Sequence, residues 1–451
     1  MFSTLHRFQS KGLSTARRHL TRLAYLSAAV AVAGLVSSPA SAQTLSEKIL
    51  NMERGLEQEF EGYFDADLAE VTQSPEEIAQ TLSRLGQETG TTPAVMWAIP
   101  REDHLHLVLI TPSGEPIVRD LYDVPEEVLS QTVDDFHLEM YGDKSGMFAA
   151  QKLYSWMIEP FEADYLEAEG IDTILFCLGN GLRSLPTAAL YDGDSFLIEK
   201  YSQTRIPAFN LIQTDYSPIG QEQVLAMGAS EFQELSSLPA VSAELDNVLS
   251  AWQSTKLLEQ PEAGHAFLNE EFTLTNLKQQ LDSQSPDIVH LATHAVFKSG
   301  SPGNSYIQFW NEQLKLDDIR DINWRNPAVE LLVLSACRTA VGDDEAELGF
   351  AGLTLQSGAK SALASIWNVS DAGTLALMSE FYRQLGSTST KAEALRQAQI
   401  EMLRGEVRVE GDVLHLSRGD INLPADLNSE EAVDLSSPYY WAAFTMVGSP
   451  W

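Results

Sequence analysis

The 451-residue sequence predicts an α/β fold, built on a mostly parallel sheet with helices on both faces. Two observations lead to this expectation. Through the second half of the chain, short apolar runs typical of buried strands alternate with amphipathic segments of helical length. Earlier in the chain, strand and helix patterns are grouped instead of alternating, which predicts an α+β part ahead of the parallel sheet.

The first 42 residues have the pattern of a secretory signal peptide. Residues 1–22 contain five basic and no acidic residues, an apolar run extends from Leu23 to Leu35, and Ala40-Ser-Ala42 provides a cleavage site. We therefore expect an exported protein, periplasmic or extracellular, with a mature chain that starts near Gln43. An uncleaved anchor is the alternative, but the apolar run is short for a span, which needs roughly 20 residues. Arg17-Arg18 leaves twin-arginine export open beside the general secretory route.

The expected mature chain is strongly acidic. Residues 43–451 hold 24 Lys and Arg against 64 Asp and Glu, which gives a net charge of −40. Such a surface repels nucleic acid and anionic membranes, so we expect neither as a partner, and we expect no membrane span in the mature chain. An apolar content of 44% favours a packed globular protein over a disordered one.

The first part of the mature chain divides into a helical lead, residues 43–90, and an α+β segment, residues 91–222. Apolar residues at helical spacing predict helices in the lead, with a break at Gln73-Ser-Pro75. From Pro93 the period changes to that of strands. The predicted elements of the α+β segment are, in order, a hairpin of strands 94–99 and 104–110 around the turn Arg101-Glu-Asp103, helices within 125–169, and a strand at 173–178.

Residues 223–451 alternate between strand and helix patterns and form the predicted parallel-sheet part. Its predicted elements are, in order, strand 224–228, helix 238–252, strand 254–258, helix 273–281, strands 287–294 and 330–337, helix 348–357, strand 361–369, helices 372–385 and 390–404, and strand 441–447. Residues 405–436 are an acidic, poorly patterned insertion that we expect to be a loop.

Two of these strands end in chemically reactive residues, His294 and Cys337. Parallel strands of an open α/β sheet end at a common edge, where ligands and chemistry gather. We therefore expect the imidazole and the thiol to meet there, as a candidate base and nucleophile. The other cysteine, Cys177, lies in a predicted strand and is expected to be a buried apolar residue. A disulfide between the two, acting as a redox latch, would require Cα atoms within about 7 Å.

The sequence predicts neither a metal site nor a cofactor. His290 and His294 are four residues apart on a predicted strand, which places their Cα atoms roughly 13 Å apart, too far to bind one ion. Gly179-Asn-Gly181 is a turn and not a phosphate-binding loop.

The chain resembles the CHAT domain family, the bacterial branch of the caspase-like cysteine peptidases, which also include separases. The resemblance extends over roughly residues 90–451. The residues that carry it are Leu182-Arg-Ser-Leu-Pro-Thr-Ala-Ala-Leu190, Phe196-Leu-Ile-Glu199, His290-Leu-Ala-Thr-His294, Val333-Leu-Ser-Ala-Cys-Arg-Thr-Ala340, Gly352-Leu353, Ser357-Gly-Ala359, Ser365-Ile-Trp-Asn-Val-Ser-Asp371, Leu377-Met-Ser-Glu-Phe-Tyr382, Lys391-Ala-Glu-Ala-Leu-Arg-Gln-Ala398 and Pro438-Tyr-Tyr-Trp-Ala-Ala-Phe444.

The resemblance implies a caspase-like sheet and an endopeptidase that cleaves peptide bonds through a Cys337–His294 dyad. The backbone N–H groups of Cys337 and residue 295 would form the oxyanion hole. No third catalytic residue is required, because a cysteine already has a pKa near ~8.5. The family usually has glycine after the histidine, whereas this chain has Ala295. Glycine adopts conformations that cost alanine more, and a misdirected N–H would cost about 10²–10³ in rate.

Four further residues are candidates for the substrate groove: Trp367, Asp371, Asp343 and Asp344. The two aspartates after Cys337 would attract basic P1 side chains, with a solvated loop as their alternative role. Packing and helix capping are the alternatives for Trp367 and Asp371. The expected partner is a protein or peptide substrate, and the oligomeric state stays open. Two other functions compete: an inactive caspase-like scaffold, which Ala295 favours, and a hydrolase of non-peptide acyl substrates.

Overall fold

The computed structural model describes residues 43–68, 70–142, 146–218, 223–255, 265–324, 328–336, 346, 348, 349, 352–427 and 432–451. The predicted signal peptide, residues 1–42, lies outside the described residues, as do Cys337, Asp343 and Asp344. Residues Thr44–Trp451 form one compact unit.

Twelve α-helices lie within the described residues: α1 Leu45–Phe64, α2 Pro75–Thr89, α3 Glu126–Met140, α4 Phe148–Met157, α5 Glu159–Phe161, α6 Leu197–Lys200, α7 Val241–Thr255, α8 Leu274–Gln284, α9 Leu353–Ser357, α10 Asp371–Leu385, α11 Lys391–Leu403 and α12 Pro438–Trp441. None of these helices combines the length and the apolar character that crossing a membrane requires.

Eighteen strands lie in the same described part: β1 Pro93–Pro100, β2 Leu105–Ile110, β3 Ile117–Leu121, β4 Thr173–Leu178, β5 Ser202–Arg205, β6 Val224–Gly228, β7 Phe267–Leu268, β8 Ile288–Thr293, β9 Ala295–Val296, β10 Tyr306–Gln308, β11 Gln313–Lys315, β12 Leu331–Ala336, β13 Ser361–Ser365, β14 Arg408–Glu410, β15 Val413–His415, β16 Asp420–Asn422, β17 Val433–Asp434 and β18 Phe444–Gly448.

Eleven strands form one sheet in the order β3-β2-β1-β4-β5-β18-β13-β12-β8-β6-β7. Strands β1, β4, β5 and β18 run parallel to one another, and so do β13, β12, β8, β6 and β7. The two blocks meet at the antiparallel pair of β13 and β18. The sheet is therefore mostly parallel, as predicted, with an antiparallel meander of β1, β2 and β3 at one end.

Most strands of the sheet are buried on both faces, and β1 shows how its sequence achieves this. Ala94, Met96 and Ala98 enter the largest of three hydrophobic cores among the described residues. Val95, Trp97 and Ile99 point the opposite way, into a second core that α1 and α2 cover. Because successive strand residues face opposite sides, a continuous apolar run is what a strand buried on both faces needs.

The helical lead is an integral part of this second core. Helices α1 and α2 each begin with a capping box, formed by Thr44 with Glu47 and by Ser74 with Glu77. Glu53 of α1 is fully buried, and its carboxylate accepts a hydrogen bond of 2.6 Å from Trp97 Nε1. The same carboxylate accepts from the backbone N–H groups of Phe209 and Asn210 and from the Asn210 side chain. These four donors compensate the cost of burying the charge.

The insertion at residues 405–436 is not a loop, and that expectation was wrong. Four short strands form an antiparallel sheet in the order β16-β15-β14-β17. Each has only two or three residues, which is too short to produce a visible alternation of apolar and polar side chains.

Several element boundaries also differ from the predicted ones. Helix α7 starts at Val241 and not at 238, and it continues through Thr255 across the start of the strand predicted at 254–258. Strand β13 ends at Ser365, four residues before the predicted end. The last strand starts at Phe444, because residues Pro438–Trp441 form a short helix that Ser437 caps.

Candidate functional site

The register of two neighbouring strands positions the candidate site. Strands β8 and β12 are parallel neighbours, and Thr293 pairs with Ala336. His294 is the next residue after Thr293, and Cys337 is the next after Ala336. Adjacent strands lie about 4.8 Å apart, and consecutive Cα atoms are 3.80 Å apart across a trans peptide bond. Thr293 and Ala336 therefore lie at the same level of one sheet edge, directly before His294 and Cys337 in the sequence.

The hydrogen bond of the His294 ring determines which nitrogen is available as a base. His294 is half-buried, and its Nε2 lies 2.9 Å from the backbone carbonyl oxygen of Ser236. A carbonyl oxygen only accepts, so Nε2 carries the hydrogen, and Nδ1 of the neutral imidazole keeps a lone pair. The ring of Phe232 packs against the imidazole at 4.7 Å between centroids and limits its rotation. Nδ1 is therefore the ring nitrogen that is available to accept a proton.

The backbone at Ala295 does not require a glycine. Ala295 is buried, and its φ angle is not in the left-handed region. In β9 it lies opposite Ile307, and the N–H of Gln308 donates to the carbonyl of His294 at 2.8 Å. This pattern makes Ala295 and Ile307 a non-hydrogen-bonded pair, in which the N–H groups point away from the partner strand. The N–H of Ala295 is therefore directed away from β10.

A buried polar network surrounds His290 of β8, four residues before His294. The Nε2 of His290 donates to the carboxylate of Glu244 on α7 at 3.1 Å, and its Nδ1 lies 3.1 Å from the hydroxyl of Tyr382 on α10. All three side chains are buried. Burial, reinforced by the nearby Glu244 charge, raises the pKa of Tyr382 well above its usual value. Tyr382 therefore stays protonated and donates to His290, which fixes both helices to β8.

Asp371 interacts electrostatically both with Glu244 of this network and with His294. It is the first residue of α10, whose N-cap is Ser370, so helix capping is not its role. Burial raises the pKa of the Asp371 carboxyl, and the charge of Glu244 adds to this effect. The charge of His294 and a hydrogen bond from the backbone of Ala240 act in the opposite direction. The carboxyl is thus within electrostatic reach of the candidate catalytic imidazole.

Trp367 does not line a groove, and that part of the predicted site needs correction. Its side chain is 2% exposed, and its Nε1 donates to the carbonyl oxygen of Tyr439 at 3.0 Å. The indole ring is part of the hydrophobic core next to α12 and is not accessible to a substrate. The predicted roles of Asp343 and Asp344 fall on residues outside the described part of the chain.

Cys177 is a buried, unreactive thiol, as expected from its strand. It is fully buried, its Sγ lies 3.3 Å from the carbonyl oxygen of Pro207, and burial raises its pKa well above the usual value. Strand β4, which contains Cys177, lies four strands away from β12. At about 4.8 Å per strand, this separation is roughly 19 Å, whereas a disulfide needs Cα atoms within about 7 Å. The arrangement does not favour the redox latch.

One polar cluster escaped the sequence reasoning, which predicted no metal site. His104, His106 and Asp120 each offer one potential ligand atom, and these atoms lie within 4.8 Å of one another. The signal available in the sequence was the His-x-His spacing at the start of a strand, which places both rings on one face. The carboxylate comes from another strand, and only the register reveals it.

The fold and the site define an α/β protein in which a half-buried imidazole follows one strand of a mostly parallel sheet, next to the strand that leads into a cysteine. Comparison with family models adds a specific match, since the model described as the CHAT domain matches residues 148–449. The chain belongs to the CHAT domain family. The match covers about two thirds of the chain and begins later than the boundary near residue 90 that the motifs suggested.

Comparison with solved structures gives a more distant similarity. The Saccharomyces cerevisiae separase–securin complex contains a chain that matches with a TM-score of 0.49 and 12% sequence identity. The match covers 90% of this chain and 34% of the other, so this chain spans about a third of the length of that one. A search of curated proteins gives no match.

Proposed function

We propose that this protein is a CHAT-type cysteine endopeptidase, with Cys337 as the nucleophile and His294 as the general base. The observation that carries the proposal is the pairing of Thr293 with Ala336, because His294 and Cys337 are the residues that follow them in the sequence. Membership of the CHAT family and the free Nδ1 lone pair of His294 support the same assignment.

In the proposed reaction, His294 Nδ1 accepts the proton of the Cys337 thiol while Sγ attacks the carbonyl carbon of the scissile peptide bond. The backbone N–H groups of Cys337 and Ala295 would hold the negative charge that develops on the carbonyl oxygen. The imidazolium then donates its proton to the leaving amine, which leaves a thioester on Cys337. Water, deprotonated by the same imidazole, hydrolyses the thioester and releases the second product.

Sequence features support the proposed substrate and compartment. The signal-peptide pattern of residues 1–42 supports action on proteins outside the cytoplasm. Asp343 and Asp344 follow the nucleophile closely, and we include in the proposal that they favour basic residues at P1. The role of Asp371 is to support the charge of His294 and not to contact the substrate.

The test is cleavage of a mixed peptide library by residues 43–451 under reducing conditions, with the cut sites identified by mass spectrometry. We expect cuts that disappear in Cys337→Ala and His294→Ala and persist in Cys177→Ala, the matched control that removes the buried thiol. Enrichment of Arg and Lys at P1 would support the role of the acidic pair.

An electrophilic peptidyl probe provides a second readout that depends less on the substrate sequence. Labelling of Cys337 that is lost in His294→Ala would establish an activated thiol. Cleavage that persists in Cys337→Ala would disprove the assignment of the nucleophile. A folded, reduced protein that neither cleaves peptides nor reacts with the probe would favour the inactive scaffold.

A further inference from the structure

The antiparallel meander at the β3 end of the sheet places two imidazoles and a carboxylate on one surface. His104 immediately precedes β2, and His106 is the second residue of that strand. Residues two apart on an extended chain face the same side. Asp120 of β3 lies directly opposite His106 in the antiparallel register. The turn between Arg101 and His104 closes with reciprocal backbone hydrogen bonds and holds His104 at the start of the strand.

The potential ligand atoms converge on one carboxylate oxygen. His106 Nδ1 lies 2.5 Å from Asp120 Oδ1, and His104 Nε2 lies 3.5 Å from the same oxygen. Both imidazoles are half-buried, whereas Asp120 is exposed. Bonds of about 2.0–2.2 Å to a tetrahedral ion separate the ligand atoms by roughly 3.3 Å. Small side-chain rotations therefore suffice to enclose an ion.

The hydrogen bond on the far side of His104 favours a cation between these groups. His104 Nδ1 lies 2.7 Å from the carboxylate of Asp103. If Nδ1 donates to Asp103, the lone pair of a neutral ring is on Nε2 and points toward Asp120 Oδ1. The lone pairs of His104 Nε2 and Asp120 Oδ1 then face each other and repel. A metal ion between the two atoms would accept both lone pairs and remove this repulsion. Carboxylates that accept from the second nitrogen of a ligating histidine are a regular feature of metal sites.

The cluster also opens onto a cavity that provides room for a further ligand. The cavity has a volume of about 400 Å³, and the apolar face of α1 forms its opposite wall. Lys48 and Arg101 line it together with the two histidines and Asp120. Their positive charges oppose the binding of a cation and favour a small anion as its fourth ligand, which would offset that repulsion. Three protein ligands with one open position are typical of accessible zinc sites.

We propose that His104 Nε2, His106 Nδ1 and Asp120 Oδ1 bind a divalent transition metal of the zinc class. Two imidazoles and one carboxylate favour Zn²⁺ and similar ions over Mg²⁺ and Ca²⁺, which prefer ligand sets of oxygen only. Strand β2 lies seven strands away from β8, so this site is separate from the candidate dyad. A bound ion would cross-link β2 with β3 at the end of the sheet, next to the helical lead.

The test is calorimetric titration of Zn²⁺ into an untagged chain of residues 43–451 that carries Cys337→Ala, which removes a competing thiol ligand. We expect one saturable site, weakened at least about tenfold in His104→Gln and in His106→Gln. Asp103→Asn should weaken it less, and excess Mg²⁺ should not displace Zn²⁺. His415→Gln is the matched control, because His415 also faces a cross-strand aspartate, Asp420, at 2.9 Å but has no second imidazole beside it.

Thermal unfolding provides the second readout and verifies that each variant is folded. Zn²⁺ should raise the melting temperature of the parent and of His415→Gln, but not that of His104→Gln. Because His104 lies just outside β2, we expect its substitution to leave the strand pairing intact. No saturable binding by the parent, binding that survives both His104→Gln and His106→Gln, or equal loss in His415→Gln would each overturn the proposal. Because the measurements use the Cys337→Ala chain, they do not depend on peptidase activity.

Discussion

Ala295 stands where the family usually has glycine, and its backbone explains why alanine is tolerated. Its φ is outside the left-handed region, and its N–H points away from β10. We therefore expect Ala295→Gly to change kcat/KM on a cleaved peptide by less than about threefold. Glycine should lower the free energy of unfolding by about 0.5–1 kcal/mol, because it loses more backbone entropy on folding. Peptide kinetics and urea unfolding check the two parts, and a gain of about 10²-fold in kcat/KM would show instead that alanine impairs the oxyanion hole.

Asp371 should support catalysis while it lowers stability. Its raised pKa means that the folded state favours the neutral acid, so this stabilisation is complete below about pH 3.9 and disappears as the pH rises through the raised pKa. Asp371→Asn cannot ionise and escapes that loss. We expect the variant to gain stability relative to the parent between pH 4 and pH 7, measured by urea unfolding, and to lose roughly tenfold in kcat/KM because the His294 imidazolium loses a nearby negative charge.

Ser370→Ala is the control that separates this charge from the start of the helix. It removes the N-cap acceptor of α10 at the Gly373 N–H and leaves the carboxylate in place. This variant should lose about 1 kcal/mol of stability at every pH and retain more activity than Asp371→Asn. Unchanged activity in Asp371→Asn, or a variant less stable than the parent at pH 7, would contradict the proposed role.

Individual helices and strands were predictable from the sequence where they are long enough to show a clear periodicity of apolar residues. Helix α10 begins at Asp371 with Ser370 as its cap, one residue before the predicted start at 372. The insertion at 405–436 was not predictable, because its sheet depends on contacts with distant residues. The fully buried carboxylate of Glu380 on α10 accepts hydrogen bonds from the backbone and side chain of Ser417 and fixes the insertion to the main body. No local pattern contains such information.

The candidate site was predictable in part, for the same physical reason. The ends of the two apolar runs predict that His294 and Cys337 lie at one sheet edge. The structure shows that β8 and β12 are parallel neighbours up to the pair Thr293 and Ala336, and the position of Cys337 stays a prediction. The interactions that refine the site come from elsewhere in the chain, namely the Ser236 carbonyl on His294 and the charge of Asp371. The cluster around His106 needs the pairing of β2 with β3, which the turn chemistry alone did not reveal.

The arrangement of the strands across the whole sheet lies beyond what the local pattern specifies. The last strand of the chain, β18, inserts between β5 and β13 and joins the two parallel blocks. Residues on either side of the predicted boundary at 222 therefore share one sheet, although the sequence pattern of each side is different. A buried lysine reinforces this union: Lys360 is 5% exposed and lies 2.7 Å from the exposed Asp215 and 2.8 Å from Glu330, which are on opposite sides of the boundary.

The charge of the whole molecule predicts an unusual response of its stability to salt. With 29 Lys and Arg against 64 Asp and Glu, most carboxylates have no basic partner, so repulsion outweighs the exposed ion pairs. Raising NaCl from 0.01 to 0.1 M shortens the screening length from about 30 to about 10 Å. We expect the melting temperature at pH 7 to rise by several degrees over this range and to stay constant near pH 4.5, the isoelectric point. A melting temperature that falls with salt at pH 7 would mean that ion pairs, such as those of Lys360, contribute more than the summed repulsion.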